Sequence, residues 1–317
     1  MIQPPPVSVL MSVWDGLPYV RQTVASVRAQ TFQDFEFVIA DNASTDGTVD
    51  FLRETAREDP RVRLVLNAEN LGHSGGLNRG LAECRGRWVA RIDADDVALP
   101  ERLARQLAFV AEHPSLKLAS CLAYYIDADG RRVGQTYHDL ATPADFERYM
   151  AAGEMIGLLH PGAIMDRETA VQLGGYRAPF GAANDIDLWA RIAETGALVL
   201  VQQERLMEYR VHPGQISASK FMEQRMQYEW ARACSRARRA GQSEPAMEAF
   251  LAAQSSAPWL TRWNRSRKTR AKYFYRQAGL HHICGQRGRA LFEFAGAALL
   301  QPGYALNRLR GQMLRRR

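Results

Sequence analysis

Nothing in this chain supplies the spacing of a zinc site or a disulfide framework. Its four cysteines, Cys84, Cys121, Cys234 and Cys284, are scattered with no close pair, and they read as free, partly buried thiols in a reducing compartment. No uninterrupted apolar stretch reaches about 18 residues, which argues against a spanning helix. Met1 to Pro6 holds no basic cluster followed by an apolar core, so no secretory signal is visible and the chain is expected to stay in the cytoplasm. Neither a Walker loop nor a Gly-x-Gly-x-x-Gly fingerprint occurs, which removes the two commonest phosphate cradles. Lysine is scarce beside arginine, as in GC-rich bacterial coding sequences. Acids are nearly missing from the end of the chain. From Leu260 to Arg317 fourteen arginines and lysines face one acid, Glu293, a net of +13 against +7 for the whole chain, which leaves the body at −6. An acidic body with a basic tail suits an anionic membrane surface or anionic carrier better than a whole-body nucleic-acid binder.

What is present is enough for one large α/β domain and an appendage: 317 residues, 46% of them apolar. The first third alternates strand-like and helix-like runs. Val7 to Val13, Phe35 to Ala40, Val62 to Leu66 and Trp88 to Ile92 are short apolar strands. Between them lie helical patterns carrying Leu17, Val20, Val24 and Val27, then Val49, Leu52 and Ala56, then Leu77 and Leu81. Leu116 to Ile126 predicts a further strand with a hairpin turn at Asp127 to Gly130. Thr142 to Met155 and Asp185 to Thr195 predict helices, and Leu198 to Val201 and Glu208 to Val211 two short strands. Beyond Lys220 the texture turns helical, rich in Ala, Arg and aromatics. The expected domains are therefore residues 1–220 and a basic helical region, 221–317.

Strand and helix alternating over short connections predict a mostly parallel sheet with helices on both faces. Ligands of such sheets bind outside the carboxyl ends of the strands. Asp41 stands at one such end and Asp93, Asp95 and Asp96 at another. Alternation sends Asp93 and Asp95 to one side. Carboxylates of this kind bind hard divalent cations that keep positions open for phosphate oxygens, although acidic turns are also common without a metal.

Three ordered motifs then carry a resemblance. "VSVLMSVWD" (7–15), "FVIADNASTDGT" (37–48) and "NLGHSGGLNRGLAECRGRWVARIDADD" (70–96) resemble the family 2 glycosyltransferases of the GT-A fold, a Rossmann-like α/β architecture. The match continues through "ANDIDLWARI" (183–192) and "YRVHPGQIS" (209–217), about the first 220 residues, and leaves the tail uncovered. It implies an inverting transferase that uses a nucleotide-sugar donor, UDP-linked by default, with Mn2+ or Mg2+. A glycan or lipid-linked saccharide is the implied acceptor, in bacterial cell-surface polysaccharide synthesis. Carried over by position, Asp41 binds the base, Asp93 lies near the ribose, and Asp95 holds the metal, with His212 completing the metal or pyrophosphate site. Ser12, Val13, Asp15, Asn70, Asn78 and Ala94 join the nucleotide pocket. Asp185 is the catalytic base, and His160, Asn184 and Trp189 lie near the sugars or the acceptor. Two departures stand out: Asn184 replaces the family's usual Glu, and the second strand ends in the Asp41-Asn42 variant.

Each residue has a plainer reading. Asp185 caps the helix it opens; His212, before Pro213-Gly214, is a turn residue; His160-Pro161-Gly162 is a loop; Trp189 is core; and a glycine-rich turn accounts for Asn70, Gly72 and Asn78. A sugar nucleotidyltransferase would need a basic phosphate loop after the first strand, and Ser12 to Gly16 has no lysine or arginine. A non-catalytic scaffold has no need of converging carboxylates. In the tail, "RWNRSRKTRAKYFYRQAG" and "ALFEFAGAALLQPGYAL", the latter broken by Pro302, fit either peripheral contact with the cytoplasmic face of the inner membrane or a packed helical cap. No nucleic-acid partner is expected, and salt-sensitive DNA retention is what nucleic-acid binding through the tail would look like.

Overall fold

The structure is a computed structural model describing residues 3–212 and 220–314, the side chains of 309–314 excepted. It divides into two compact units. One takes in the chain up to Ile126 together with Gly130–Arg210; the other takes in Asp127–Asp129 and the chain from Val211 onward. Residues Pro213 to Ser217 of the "YRVHPGQIS" motif lie outside the described residues.

The first unit opens with β1 (Val7–Val13), α1 (Val20–Arg28), β2 (Phe35–Asp41), α2 (Thr48–Glu58), β3 (Val62–Leu66), α3 (Gly72–Glu83) and β4 (Trp88–Arg91). It continues with β5 (Val97–Ala98), α4 (Arg102–Glu112), β6 (Leu116–Ile126), β7 (Arg132–Gln135), α5 (Pro143–Ala151), β8 (Ile164–Asp166), α6 (Arg167–Gln172), α7 (Asn184–Glu194) and β9 (Leu198–Arg210). The nine strands form one sheet in the order β3-β2-β1-β4-β8-β6-β9-β5, with β7 paired to β6. Strands β3, β2, β1 and β4 are mutually parallel. β8 runs against both β4 and β6, so β6 and its parallel partner β9 share the direction of the first four. The sheet is thus mostly parallel and flanked by helices, as expected from the alternation of elements.

Burial explains why these strands were easy to find. Every residue of β2 and nearly every residue of β1 is buried, because helices cover a parallel sheet on both faces. Helix α3 breaks the usual amphipathic pattern with glycines, and the packing gives the reason. A Cβ on Gly76 would sit 2.4 Å from Ser12 Oγ, and one on Gly80 would sit 2.4 Å from Leu10 Cδ1. Only glycine lets the helix approach the end of β1 this closely.

One expectation is corrected. The two short strands expected around residues 198–211 are a single strand, β9, paired to β6 along its length with register shifts near Cys121 to Ala123. The polar run Gln202 to Arg205 accompanies those bulges and interrupts the apolar pattern.

The second unit contains α8 (Phe221–Arg239), α9 (Met247–Ser256), α10 (Trp259–Ile283), α11 (Arg287–Leu300) and α12 (Pro302–Leu314). α10 and α11 form a hairpin around Gly285, whose φ of 74° suits only glycine. The Phe274 ring lies 3.4 Å from where a Cβ of Gly296 would stand, and Tyr275 meets Phe294 with ring centroids 6.3 Å apart. Buried Ala271, Ala278, Ala290 and Ala297 line the small-residue sides of these helices.

Candidate active site

Strands β1, β2 and β4 deliver their carboxyl ends to one edge of the sheet, where the order β2-β1-β4 marks the change of winding direction at which such folds bind ligands. The loops after β1 and β2 are tied together by the polar run of residues 41–48. Asp15, at φ 48°, donates its N–H to Ser44 Oγ at 2.9 Å, and its Oδ1 accepts the Thr45 N–H at 2.7 Å. The Gly16 N–H donates to Thr48 Oγ1 at 3.0 Å, and the Leu17 N–H to Asp46 Oδ2 at 2.9 Å. Buried Val13 accepts the Asn42 N–H on its carbonyl at 2.8 Å. Asp41 is also buried. Its Oδ1 accepts the Ser44 N–H at 3.0 Å, while Oδ2 has no donor among the described residues. A buried carboxylate oxygen left this way costs more than about 1–3 kcal/mol, so it is a natural acceptor for a ligand N–H.

Asn42 is the hub of the third loop. Its Nδ2 donates to Asn70 Oδ1 at 2.8 Å and to the Gly72 carbonyl at 3.2 Å, and its Oδ1 accepts from Asn67 Nδ2 and the Leu71 N–H. Asn70 therefore shapes the entry to α3. Asn78 has both ends of its amide engaged by the main chain of Tyr176, Nδ2 to the carbonyl at 2.7 Å and Oδ1 from the N–H at 2.9 Å. It fastens α3 to the Tyr176 segment.

After β4 the chain turns through Asp93, Ala94, Asp95 and Asp96. One carboxylate oxygen from each of the three acids falls within 4.8 Å of the others. Two anchors hold this turn. Thr23 Oγ1 donates to the carbonyls of Ala94 (2.9 Å) and Asp96 (2.7 Å). Arg210, at the end of β9, gives its main-chain N–H to Asp96 Oδ1 at 2.8 Å and its Nε to the Asp95 carbonyl at 2.8 Å. Beneath them lies Arg91, fully buried, paired with Asp93 and with its Nε and Nη1 unpartnered among the described residues. Burial works to raise Asp93, but the Arg91 guanidinium together with His160 and His73 holds the carboxyl below its ordinary value. Asp96 is pushed well above the usual range by burial and then by Asp95 and Asp93. Three crowded carboxyls over one buried guanidinium favour a further cation. All-oxygen donors fit Mg2+ or Mn2+ in particular.

A further acid in reach of Asp93 comes from distant chain. Asp185 and Asp187 both lie in the first turn of α7, and the packing separates them. Asp187 is fully buried and accepts Nε of Arg177 (2.9 Å) and of Arg191 (3.0 Å). Arg191 also ties down the carbonyls of Leu173 and Gly175. Asp187 is therefore structural. Asp187→Ala would strand Arg191 in the interior, and a loss of about 3–5 kcal/mol is expected, read as a lowered denaturation midpoint; a loss under about 1 kcal/mol would show the ion group to be dispensable. Asp185 has no such partner. Burial first, and then Asp93, raise its carboxyl to about 6, against the pull of the Ile186 and Asp185 N–H groups and Arg91.

Tyr176, in electrostatic reach of Asp185, belongs to a group of rings with His160, His73 and Trp189. His160 Nε2 lies 3.1 Å from the Tyr176 hydroxyl, and its ring packs edge-on to His73, Tyr176 and Trp189 at 6.0, 5.5 and 5.7 Å. Burial and Arg91 push His73 down to about 4 and His160 well below its ordinary value, so both imidazoles are neutral at physiological pH. Trp189 is wholly buried and offers no surface to a sugar; its Nε1 has no acceptor among the described residues. Asn184 is also buried and donates to Ser74 Oγ at 2.9 Å, joining α7 to α3. Where the family's usual Glu would add charge, Asn184 makes a neutral strut.

One region of the first unit thus gathers Ser12, Val13, Asp15 and Asp41 at the ends of β1 and β2, the acids 93, 95 and 96 after β4, and Asp185 in electrostatic reach of Asp93. His212 follows β9 at the start of the second unit. Reasoning from sequence missed Arg91, His73, Tyr176 and Arg210. Arg91 alone had a signal, a charge inside an apolar strand.

Residues 8–173, just over half of the chain, match the family described as "Glycosyl transferase family 2". The UDP-Glc:alpha-D-GlcNAc-diphosphoundecaprenol beta-1,3-glucosyltransferase WfaP of Escherichia coli is 28% identical over 219 residues, covering 68% of this chain and 82% of that protein. Among solved structures, the mannosyltransferase PcManGT from Pyrobaculum calidifontis, in complex with GDP-Man and Mn2+, aligns with TM-score 0.57 at 21% identity. That alignment covers 98% of this chain and 80% of the other. TarS 1-349 of S. aureus, in complex with UDP-GlcNAc, aligns with TM-score 0.57 at 15% identity over 93% and 92% of the two chains. These structures share the GT-A fold expected above. With its acid-tipped parallel strands and the match over residues 8–173, the chain belongs to glycosyl transferase family 2 and is a glycosyltransferase.

Proposed function

We propose that the protein transfers a sugar from a nucleotide-sugar donor, UDP-linked by default, to a hydroxyl of a glycan or lipid-linked saccharide, with inversion at the anomeric carbon. The observation that carries this reading is the Asp93–Asp95–Asp96 cluster together with Asp185, a carboxyl raised to about 6 and in electrostatic reach of Asp93. A UDP-Glc donor and a diphosphoundecaprenol-linked acceptor appear in the name of the E. coli relative, which supports the choice of donor and acceptor class.

In this reading Asp41 Oδ2 accepts a ring N–H of the base, and Asp93 lies toward the ribose. The loop of residues 12–15 and the turn at Asn70 shape the pocket. Asp95, with Asp96 beside it, would hold Mn2+ or Mg2+, and His212 remains a further candidate ligand. When bound, such a cation supplies positive charge for the diphosphate leaving group. Asp185 takes the proton of the acceptor hydroxyl. The freed oxygen pair forms the new bond to the anomeric carbon from the face opposite the nucleotide, and the old carbon–oxygen bond breaks with its electrons leaving on the nucleoside diphosphate. His160 and Tyr176, hydrogen-bonded and uncharged, keep the wall beside Asp185 polar without neutralising it.

Thermal stabilisation by a panel of nucleotide sugars, each with Mn2+, with Mg2+ and without divalent ion, tests the donor assignment. At least one nucleotide sugar should raise the melting temperature, by RT ln(1 + [L]/Kd), only when the ion is present. A flat response across the panel would exclude a preformed donor site.

A further inference from the structure

Helix α11 is apolar on two sides. One side, with Ala290, Phe294 and Ala297, is turned inward; Phe294 packs on Tyr275 of α10. The other carries Gly288, Leu291, Phe292, Ala295 and Leu299, which at 100° per residue fall within about a third of the helix circumference. Leu291, Phe292 and Leu299 are 69%, 74% and 84% exposed. At the start of α10, Trp259 and Trp263 are 71% and 56% exposed, with Leu260 beside them. Exposed leucine, phenylalanine and tryptophan concentrated on one helical hairpin are not the usual surface of a soluble domain.

The charge around them identifies what they meet. Arg262, Arg265, Lys268, Arg270, Arg287 and Arg289 flank these residues and are exposed, while Glu293 is the one acid from Leu260 to Arg317. A second copy would bring a like charge of +13 against this one, which opposes self-association. A nucleic acid would use the arginines but has no call for Leu291, Phe292 and Leu299 standing clear of water's hydrogen bonds. A lipid surface uses both. Tryptophan and phenylalanine settle at the headgroup boundary, aliphatic side chains enter the acyl region, and arginines meet anionic headgroups. No helix among the described residues is long and apolar enough to cross a membrane, so the hairpin would lie in the interface.

We propose that the α10–α11 hairpin is an in-plane docking surface for an anionic lipid bilayer, with Leu291, Phe292 and Leu299 inserted and the arginines of both helices on the headgroups. This surface belongs to the second unit and the donor-site residues to the first, so lipid binding and sugar transfer are separate readouts.

The test is co-sedimentation of the full chain with vesicles of phosphatidylcholine alone or mixed with phosphatidylglycerol. Binding should be at least about tenfold stronger to the anionic vesicles and should weaken in high salt. Tryptophan emission should shift to the blue on binding as Trp259 and Trp263 leave water. The variant Leu291→Ser/Phe292→Ser/Leu299→Ser changes only exposed side chains. It should lose about tenfold or more in partitioning while keeping its helical circular dichroism and its thermal response to nucleotide sugar. Equal binding to neutral vesicles, no binding to either, or full anionic binding by the triple variant would each overturn the proposal. So would self-association in sedimentation velocity that the triple variant abolishes, which would assign the face to a second copy. DNA retention unaffected by the triple variant, without vesicle binding, would assign the basic surface to nucleic acid instead.

Discussion

Asp185→Asn is expected to lower turnover by about 10²–10⁴, the usual worth of a positioned general base, while donor binding survives. The asparagine keeps the shape and the start of α7 but cannot take a proton. In the parent protein kcat/KM should fall as pH drops through about 6, because protonation of the raised Asp185 carboxyl removes the base. Stability carries the opposite sign. A carboxyl whose folded-state value is raised contributes stability at low pH and loses it as pH rises through about 6, so the uncharged variant should be no less stable at neutral pH. A variant that turns over normally would remove Asp185 as the base.

Asp95→Ala, or chelation with EDTA, is expected to abolish transfer. The three acids lie within 4.8 Å, and losing one leaves Asp93 paired to Arg91 and Asp96 pinned by the Arg210 N–H. Neither remaining carboxyl is then disposed to hold a hard cation alone. Chelation should be reversed by added Mn2+ or Mg2+ without refolding, since Arg91 already balances part of the charge. The variant should also lose the ion-dependent part of its thermal response to nucleotide sugars. Full activity in excess EDTA would take the metal out of the scheme.

Much of the architecture was open to reading from the residues because a parallel sheet buried on both faces writes itself as apolar runs. β1, β2, β3 and β6 fall where Val, Leu, Ile and Phe cluster. β5 and β8, at two and three residues, carry too little pattern to be seen, and α4 and α6 were passed over with them. β9 looked like two strands because Gln202 to Arg205 accompany its bulges. At the site, the acids could be found from their positions after strands, but their differences could not. Asp185 and Asp187 occupy the same turn with the same chemistry. What distinguishes them is Arg177, ten residues upstream, and Arg191, one turn on, both folded onto Asp187 alone. The arrangement of His73, His160 and Tyr176 was likewise invisible, since it joins α3 to two separate later segments.

The staple from Arg210 to the acid turn also bears on the order in which the enzyme comes into being. The Asp95 carbonyl and the Arg210 guanidinium that holds it are 115 residues apart. On a growing polypeptide, the carboxylates emerge from the ribosome well before the strand that fixes their loop. At about 5–20 residues per second, several seconds separate the two events. A nascent chain halted short of Arg210 carries the full complement of acids with the turn held by Thr23 and Arg91 alone, so its second anchor arrives with the last strand of the sheet.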